Sequence, residues 1–270
     1  MWILAALALA IIVVALVVYV RRDKVGYRLR RRLGRDVPRF PIVLIHGFMG
    51  FDRVAGIEYF RGIRASLEAE GIRVVLVRLP PTGSIQSRAE ALMKQIADIE
   101  GDLNLVAHSM GGLDARYALA HLGLAERTRS LITVATPHHG TPVAALGKNV
   151  VQAVGIKALA KTIGFDLTAI DDLTPQQLES FNADTTDAPG VFYGCVVARA
   201  ETVHPLLQPT YSLLARKAPS DGLIPTESQC WGTILTEIDA DHWAQIGWGS
   251  TFDAEGLFRD IARELALRGF

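Results

Sequence analysis

Apolar positions along this chain follow two alternating rhythms. Short apolar-rich runs at 41–45, 72–79, 103–107, 131–135, 191–198 and 231–238 have the length of strands. Between and after them, 57–70, 84–99, 110–121 and 252–267 repeat apolar residues three and four apart, the spacing of a helix with one buried face. Gly71 is placed to end the first of these helices, Pro80-Pro81 to stop the strand after it, and Ser84 to open the next helix. Strands alternating with helices predict βαβ units, and so a mostly parallel central sheet flanked by helices. The run at 41–45 has no polar residue, as expected of a strand covered on both faces. The last run, 231–238, is expected as an inner strand too.

Two stretches break the rhythm. Residues 141–190 carry helical spacing without a clear strand, and 143–163 is rich in Val, Ala, Leu and Ile with Gly147 and Gly155 interrupting it. An inserted helical cap is expected there, either a fixed cover or a lid with glycine hinges. Within it, Thr174 and Pro175 stand as N-cap and first residue ahead of a short helix at 176–181. The second stretch is 1–20, uncharged and apolar almost throughout. At helical rise it spans about 30 Å, the hydrocarbon thickness of a bilayer. An uncleaved transmembrane anchor is expected, because the basic start and small-residue cleavage site of a signal peptide are missing. The expected order is therefore an anchor at 1–20, a linker at 21–39, and a globular domain at 40–270 with its insertion at 141–190.

Composition adds a limit and a polarity. With 270 residues, half of them apolar, the chain can bury the core of one large domain. Its formal charge is +0, but residues 21–39 hold nine Lys and Arg against Asp23 and Asp36, which leaves the rest acidic. A nucleic-acid partner is not expected of such a domain. Basic residues directly after the apolar stretch place the globular domain in the cytoplasm by the positive-inside tendency. Cys195 and Cys230 are then expected as reduced thiols.

Candidate chemistry centres on His108-Ser109-Met110-Gly111-Gly112, which joins a strand pattern to a helix pattern. Small residues, Ala107 and Gly111, flank Ser109 two positions either side. A sharp strand-to-helix turn that presents a nucleophilic serine needs them small, because larger side chains would clash. Such a serine requires oxyanion donors, a base and an acid. The loop His46-Gly47-Phe48-Met49-Gly50 follows the first inner strand, where backbone N–H groups can point inward. The N–H groups of Phe48 and Met110 are the expected oxyanion donors; the imidazole of His46 is expected to be structural. Enzymes with this turn run nucleophile, acid, base along the chain. Of seven histidines, only His204 and His242 lie well downstream and outside the insertion. His242 follows a strand directly, whereas His204 sits in a proline-bounded loop, so His242 is the expected base. Asp221, in a tight turn with Gly222 between two strands, is the expected acid. Asp239 and Asp241 stand too close to His242 in sequence and are expected to face solvent or fix the loop.

With these residues placed, the chain resembles bacterial triacylglycerol lipases of the α/β-hydrolase superfamily, nearest the Pseudomonas and Burkholderia type. The matching segments, in family order, are PIVLIHGFMGFD, LNLVAHSMGG, VATPHHGTPVA, LTPQQLESFN, SDGLIP and ADHW. The resemblance implies an α/β-hydrolase fold with a helical lid at 141–190 that meets acyl chains. It implies Ser109 as nucleophile, Asp221 as orienting acid, His242 as base, and Phe48 and Met110 as oxyanion donors. There are departures. Ala107 replaces the commoner Gly. Ala244 stands where related enzymes place a calcium-binding Asp, so a structural calcium is doubtful and no cofactor is expected. Related secreted lipases carry a disulfide, and Cys230 falls where its second cysteine would be, with Cys195 on the preceding strand; the resemblance so leaves a bridged pair and an extracytoplasmic domain open as the alternative.

The expected activity is hydrolysis of acyl esters through an acyl-enzyme, on a lipid or acyl-ester substrate, by a lipase or carboxylesterase. The membrane is expected to be reached through the N-terminal helix. A thioesterase, phospholipase or acyltransferase reaction on the same site stays open, as does a non-catalytic membrane-tethered binding module.

Overall fold

The computed structural model describes residues 37–50, 53–54, 57–154, 168–249 and 252–270. Its strands are β1 (Ile42–Ile45), β2 (Arg53–Val54), β3 (Ile57–Glu58), β4 (Val74–Leu76), β5 (Leu103–His108), β6 (Thr128–Val134), β7 (Phe192–Arg199) and β8 (Thr233–Asp239). The described α-helices are α1 (Ile63–Ala69), α2 (Ile85–Ile96), α3 (Gly111–His121), α4 (Pro142–Val154), α5 (Thr168–Asp172), α6 (Pro175–Asp184), α7 (Gln208–Leu214) and α8 (Ala254–Leu267).

Strand β1 sets the layout. All its side chains are buried, and they alternate between two apolar clusters. Ile42 and Leu44 pack with residues of α1 and α8, while Val43 and Ile45 pack with residues of α2 and α3. A period of two along a strand covered on both faces requires this division. Six strands form one sheet in the order β4-β1-β5-β6-β7-β8, and every neighbouring pair is parallel. Ile45 pairs with Ala107, so the carboxyl ends of β1 and β5 emerge side by side at the sheet's centre. Ligands of such sheets bind beyond the carboxyl ends of the strands. The α/β-hydrolase arrangement expected from the sequence is the one observed.

Several boundaries differ for local reasons. The helix expected over 57–70 is only α1, because Ile57–Glu58 pairs antiparallel with Arg53–Val54 and Gly62, at φ 75, turns the chain into the helix. The strand expected over 72–79 is only β4; by Leu79 the backbone N–H has left the sheet and donates to His46 Nε2 at 3.1 Å. The strand expected over 231–238 starts at Thr233, because Gly232, at φ 65, turns first, and a Cβ there would meet Tyr193 O at 2.4 Å. It is also the edge strand rather than an inner one, and Thr233 and Ile234 are exposed. Ser84 caps α2 as expected, accepting from Ser87 N–H.

The insertion holds α4, α5 and α6, with 155–167 outside the described residues. Pro175 is the first residue of α6 and Thr174 its N-cap residue, although the Thr174 hydroxyl donates back to Asp171 O. Ala144, Ala169, Leu173 and Leu178 from this insertion pack with Ile85, Met110 and Leu113, so the cap rests on the turn that carries Ser109.

The expected anchor at 1–20 and most of the linker lie outside the described residues. Among the described residues no helix is long and apolar enough to cross a membrane. The longest of them, α8, has 14 residues and two faces, one buried and one polar, whereas a span needs about 20 apolar residues. On that finding the localisation expected from the sequence, a membrane-anchored protein with a cytoplasmic domain, is corrected and set aside.

Candidate active site

Ser109 sits between the end of β5 and the start of α3 with φ 56, left-handed backbone that a serine rarely adopts. Such a conformation costs about 1–3 kcal/mol and persists only where its surroundings hold it. Here Ser109 N–H donates to Val134 O at 3.0 Å, and the Thr136 hydroxyl donates to Ser109 O at 2.7 Å. The small residue at 111 is needed as expected. A Cβ on Gly111 would stand 2.7 Å from Ile45 O, while the methyl of Ala107 is accommodated within the core.

His242 Nε2 lies 3.0 Å from Ser109 Oγ, and His242 Nδ1 lies 2.7 Å from Asp221 Oδ2. Residues 133 positions apart thus meet in one hydrogen-bonded line. Two features of sequence build it. Asp221 lies in a turn closed by a bridge between Ser220 and Pro225, where its Oδ1 accepts from the N–H groups of Leu223 and Ile224 at 3.0 and 2.8 Å. His242 leaves the end of β8, and its own N–H donates to Asp221 O at 2.9 Å. Asp221 is fully buried, so its second oxygen is presented to the imidazole away from water.

The rival residues go elsewhere. Asp239 is exposed and accepts from Glu201 N–H. Asp241 fixes the loop: its oxygens accept from the N–H groups of Trp243, Ala244 and His204. The His204 ring packs against Trp243, not against Ser109. His46 is buried and structural, accepting from Leu79 N–H.

The loop after β1 presses directly on the serine. A Cβ on Gly47 would stand 2.7 Å from Ser109 Cβ and 3.1 Å from its Oγ. Among the described residues, neither the Phe48 nor the Met110 N–H donates to a protein acceptor. This loop is held by a residue that sequence reasoning missed. Arg88 Nη2 donates to His46 O at 2.8 Å and Gly47 O at 3.2 Å, its Nη1 donates to Pro80 O, and its Nε donates to Asp114 Oδ2 at 2.9 Å. Both Arg88 and Asp114 are fully buried. Burial pushes the Asp114 carboxyl up to about 6, against the pull of Arg88. One signal was legible: Arg88 lies on the apolar face of α2 with Ile85, Ala89, Leu92 and Ile96, where an unpaired charge would be costly.

Cation-binding groups are poorly placed near His242. Ala244 offers no side-chain donor, and the Asp241 oxygens are occupied by N–H groups. Among the described residues, no cluster of three or more His, Cys, Asp or Glu could hold a metal. Cys195 and Cys230 are free thiols, the first buried and raised by that burial.

Residues 42–267 match the alpha/beta hydrolase family. The chain is 29% identical over 250 residues to triacylglycerol lipase 2 of Saccharomyces cerevisiae, covering 79% of this chain and 75% of that protein. It is 32% identical over 222 residues to a triacylglycerol lipase of Burkholderia plantarii, covering 79% of this chain and 57% of that one. The chain therefore spans between about half and three quarters of these relatives' own lengths. Among solved structures, the mature form of lipase BlEst2 from Bacillus licheniformis superposes with a TM-score of 0.69 at 20% identity, over 88% of this chain and 96% of that one.

Proposed function

This chain belongs to the alpha/beta hydrolase family, and from that premise we propose that it is a serine ester hydrolase of the lipase and carboxylesterase kind. The observation that carries the reading is the line from Asp221 Oδ2 through both nitrogens of His242 to Ser109 Oγ, ending on a serine in strained backbone. Relatives named triacylglycerol lipases support an acyl ester of a lipid as the substrate class.

His242 takes the proton of Ser109 as Oγ attacks the ester carbonyl. Asp221, buried and hydrogen-bonded to Nδ1, keeps the ring's lone pair on Nε2 and stabilises the imidazolium that forms. The negative oxygen of the tetrahedral intermediate is received by the N–H groups of Phe48 and Met110, donors each worth about 3 kcal/mol in comparable sites. His242 then passes its proton to the departing alcohol, and water, deprotonated in turn by His242, releases the acid and restores Ser109. The described helices of the insertion act as the lid, since Ala144, Ala169, Leu173 and Leu178 pack with Met110 and Leu113 beside the nucleophile.

The test is labelling with a fluorophosphonate, followed by rates on p-nitrophenyl esters of increasing chain length. Labelling at Ser109, lost in Ser109→Ala together with hydrolysis, is the expected result. An unlabelled Ser109 in an intact protein would remove the enzyme reading.

A further inference from the structure

Behind the line of Ser109, His242 and Asp221 lies a second row of buried polar side chains that the mechanism above does not use. His108, the last residue of β5, is fully buried, and its ring centroid lies 4.5 Å from that of His242. Tyr59 Oη lies 2.7 Å from His108 Nδ1 and also accepts from Gly47 N–H at 3.4 Å. A phenol proton directed at Nδ1 places the ring proton of His108 on Nε2. Burial raises the Tyr59 phenol and holds His108 far below the usual histidine range, so both are neutral.

Gln245 completes the row. It is fully buried, and its Nε2 donates to Asp221 Oδ2 at 3.2 Å and to Ala240 O at 3.4 Å. Its Oε1 and the Nε2 of His108 are both buried without a partner at normal hydrogen-bonding geometry. One is an acceptor, and the other belongs to a ring on which the Gln245 side chain and the His242 backbone both act. Leaving both unmatched would be costly, whereas pairing them satisfies both.

We propose that Tyr59, His108 and Gln245 are positioning residues: His108 Nε2–H holds the Gln245 amide by its oxygen, so that the NH2 stays on Asp221 Oδ2, the oxygen that also faces His242. Asp221 Oδ2 then divides its negative charge between two donors. Without Gln245, more of that charge serves the imidazolium, and His242 keeps its proton to higher pH. The groups facing His242 are Asp221, the Ser109 hydroxyl and neutral His108. Asp241 is turned to N–H groups of its own loop, and the Arg88 charge acts on Tyr59.

The inference rests on the ester-hydrolase reading only for its kinetic arm. The direct arm is an NMR titration of the His242 ring in the full chain, in wild type, Gln245→Leu, Tyr59→Phe and the double variant, with no substrate present. We expect the midpoint to rise by about half a pH unit in Gln245→Leu, the share of one hydrogen bond passed on to the ring. Tyr59→Phe, which frees the His108 tautomer and keeps the packing, gives a smaller rise in wild type and none in the Gln245→Leu background. The acidic limb of kcat/KM on p-nitrophenyl butyrate moves with the midpoint. Unchanged midpoints, or an equal effect of Tyr59→Phe in both backgrounds, would overturn the proposal. A wild type that turns over no ester would instead count against the enzyme reading and leave the titration to decide this one.

Discussion

Asp221 does at once what an aspartate in a tight turn ordinarily does and what an acid behind a histidine must do. Its Oδ1 closes the turn on Leu223 and Ile224, and its Oδ2 is left for His242. Asn in its place would keep the turn and lose the charge, and its NH2 would face Nδ1. Asp221→Asn is therefore expected to fold and to lose roughly 10³–10⁴-fold in kcat, because the imidazole is held in the wrong tautomer. Asp239→Asn, on an exposed residue, should stay within a few-fold of wild type; esterase rates of the two purified variants check this, and the reverse order would move the acid. Gly47 is a second single-residue test. A methyl there would have to share space with Ser109 Cβ and Oγ, so Gly47→Ala should lower kcat by about 10²-fold, the scale of a reacting atom displaced by about 1 Å. Near-wild-type turnover by Gly47→Ala would mean the loop stands off from the serine in solution.

At the scale of elements, one guanidinium joins the loop after β1 to two helices. Arg88 projects from α2, receives the charge of Asp114 on α3, and gathers the carbonyls of His46, Gly47 and Pro80. With the Gly47 carbonyl turned to Arg88, the Phe48 N–H that follows it is left without a protein acceptor among the described residues. Arg88→Met should destabilise the fold by about 3–5 kcal/mol, since it leaves Asp114 buried and uncompensated. Arg88→Met with Asp114→Leu removes that uncompensated charge and should recover much of the stability, but not the hydrolysis rate, because the carbonyls of the loop still lack their donor. Urea unfolding and kcat measured on both proteins separate the two effects; a double variant with full activity would show that the loop needs no tie.

For the whole molecule, buried titratable groups set the response to acid. His108 and His138 are held far below the usual histidine range, chiefly by burial. The unfolded chain takes up protons below about pH 6.5 that these rings refuse in the native state. The stability they contribute is whole above that pH and falls by up to about 1.4 kcal/mol per pH unit per ring below it. Asp114 runs the other way. Its carboxyl, pushed up to about 6 by burial, binds a proton in the native state first, so its contribution is whole at low pH and lost as pH rises through about 6. It offsets one of the two rings between about pH 6 and pH 4. The urea midpoint should therefore drop from about pH 7.5 to about pH 5. A flat profile over that interval would mean that at least one ring is charged in the fold.

What the sequence alone determined is local. The unbroken apolar run of β1, the helical spacing of α2, α3 and α8, and the small residues about Ser109 each follow from chain stereochemistry and burial, so they could be read as parallel strands, helices and a strained turn. Chain order then singled out Asp221, in a turn, and His242, just past a strand, downstream of Ser109. Contacts between distant segments left no such mark. Arg88 reads as one more helix residue until the loop after β1 folds onto it. Gln245 and Tyr59 read as ordinary polar and aromatic positions until β5 sets His108 between them. The edge position of β8 depends on which strands pair, and no residue of β8 states it. Side-chain periodicity reports only a residue's own element; which polar group meets which is decided when the sheet assembles and each buried donor must find its acceptor.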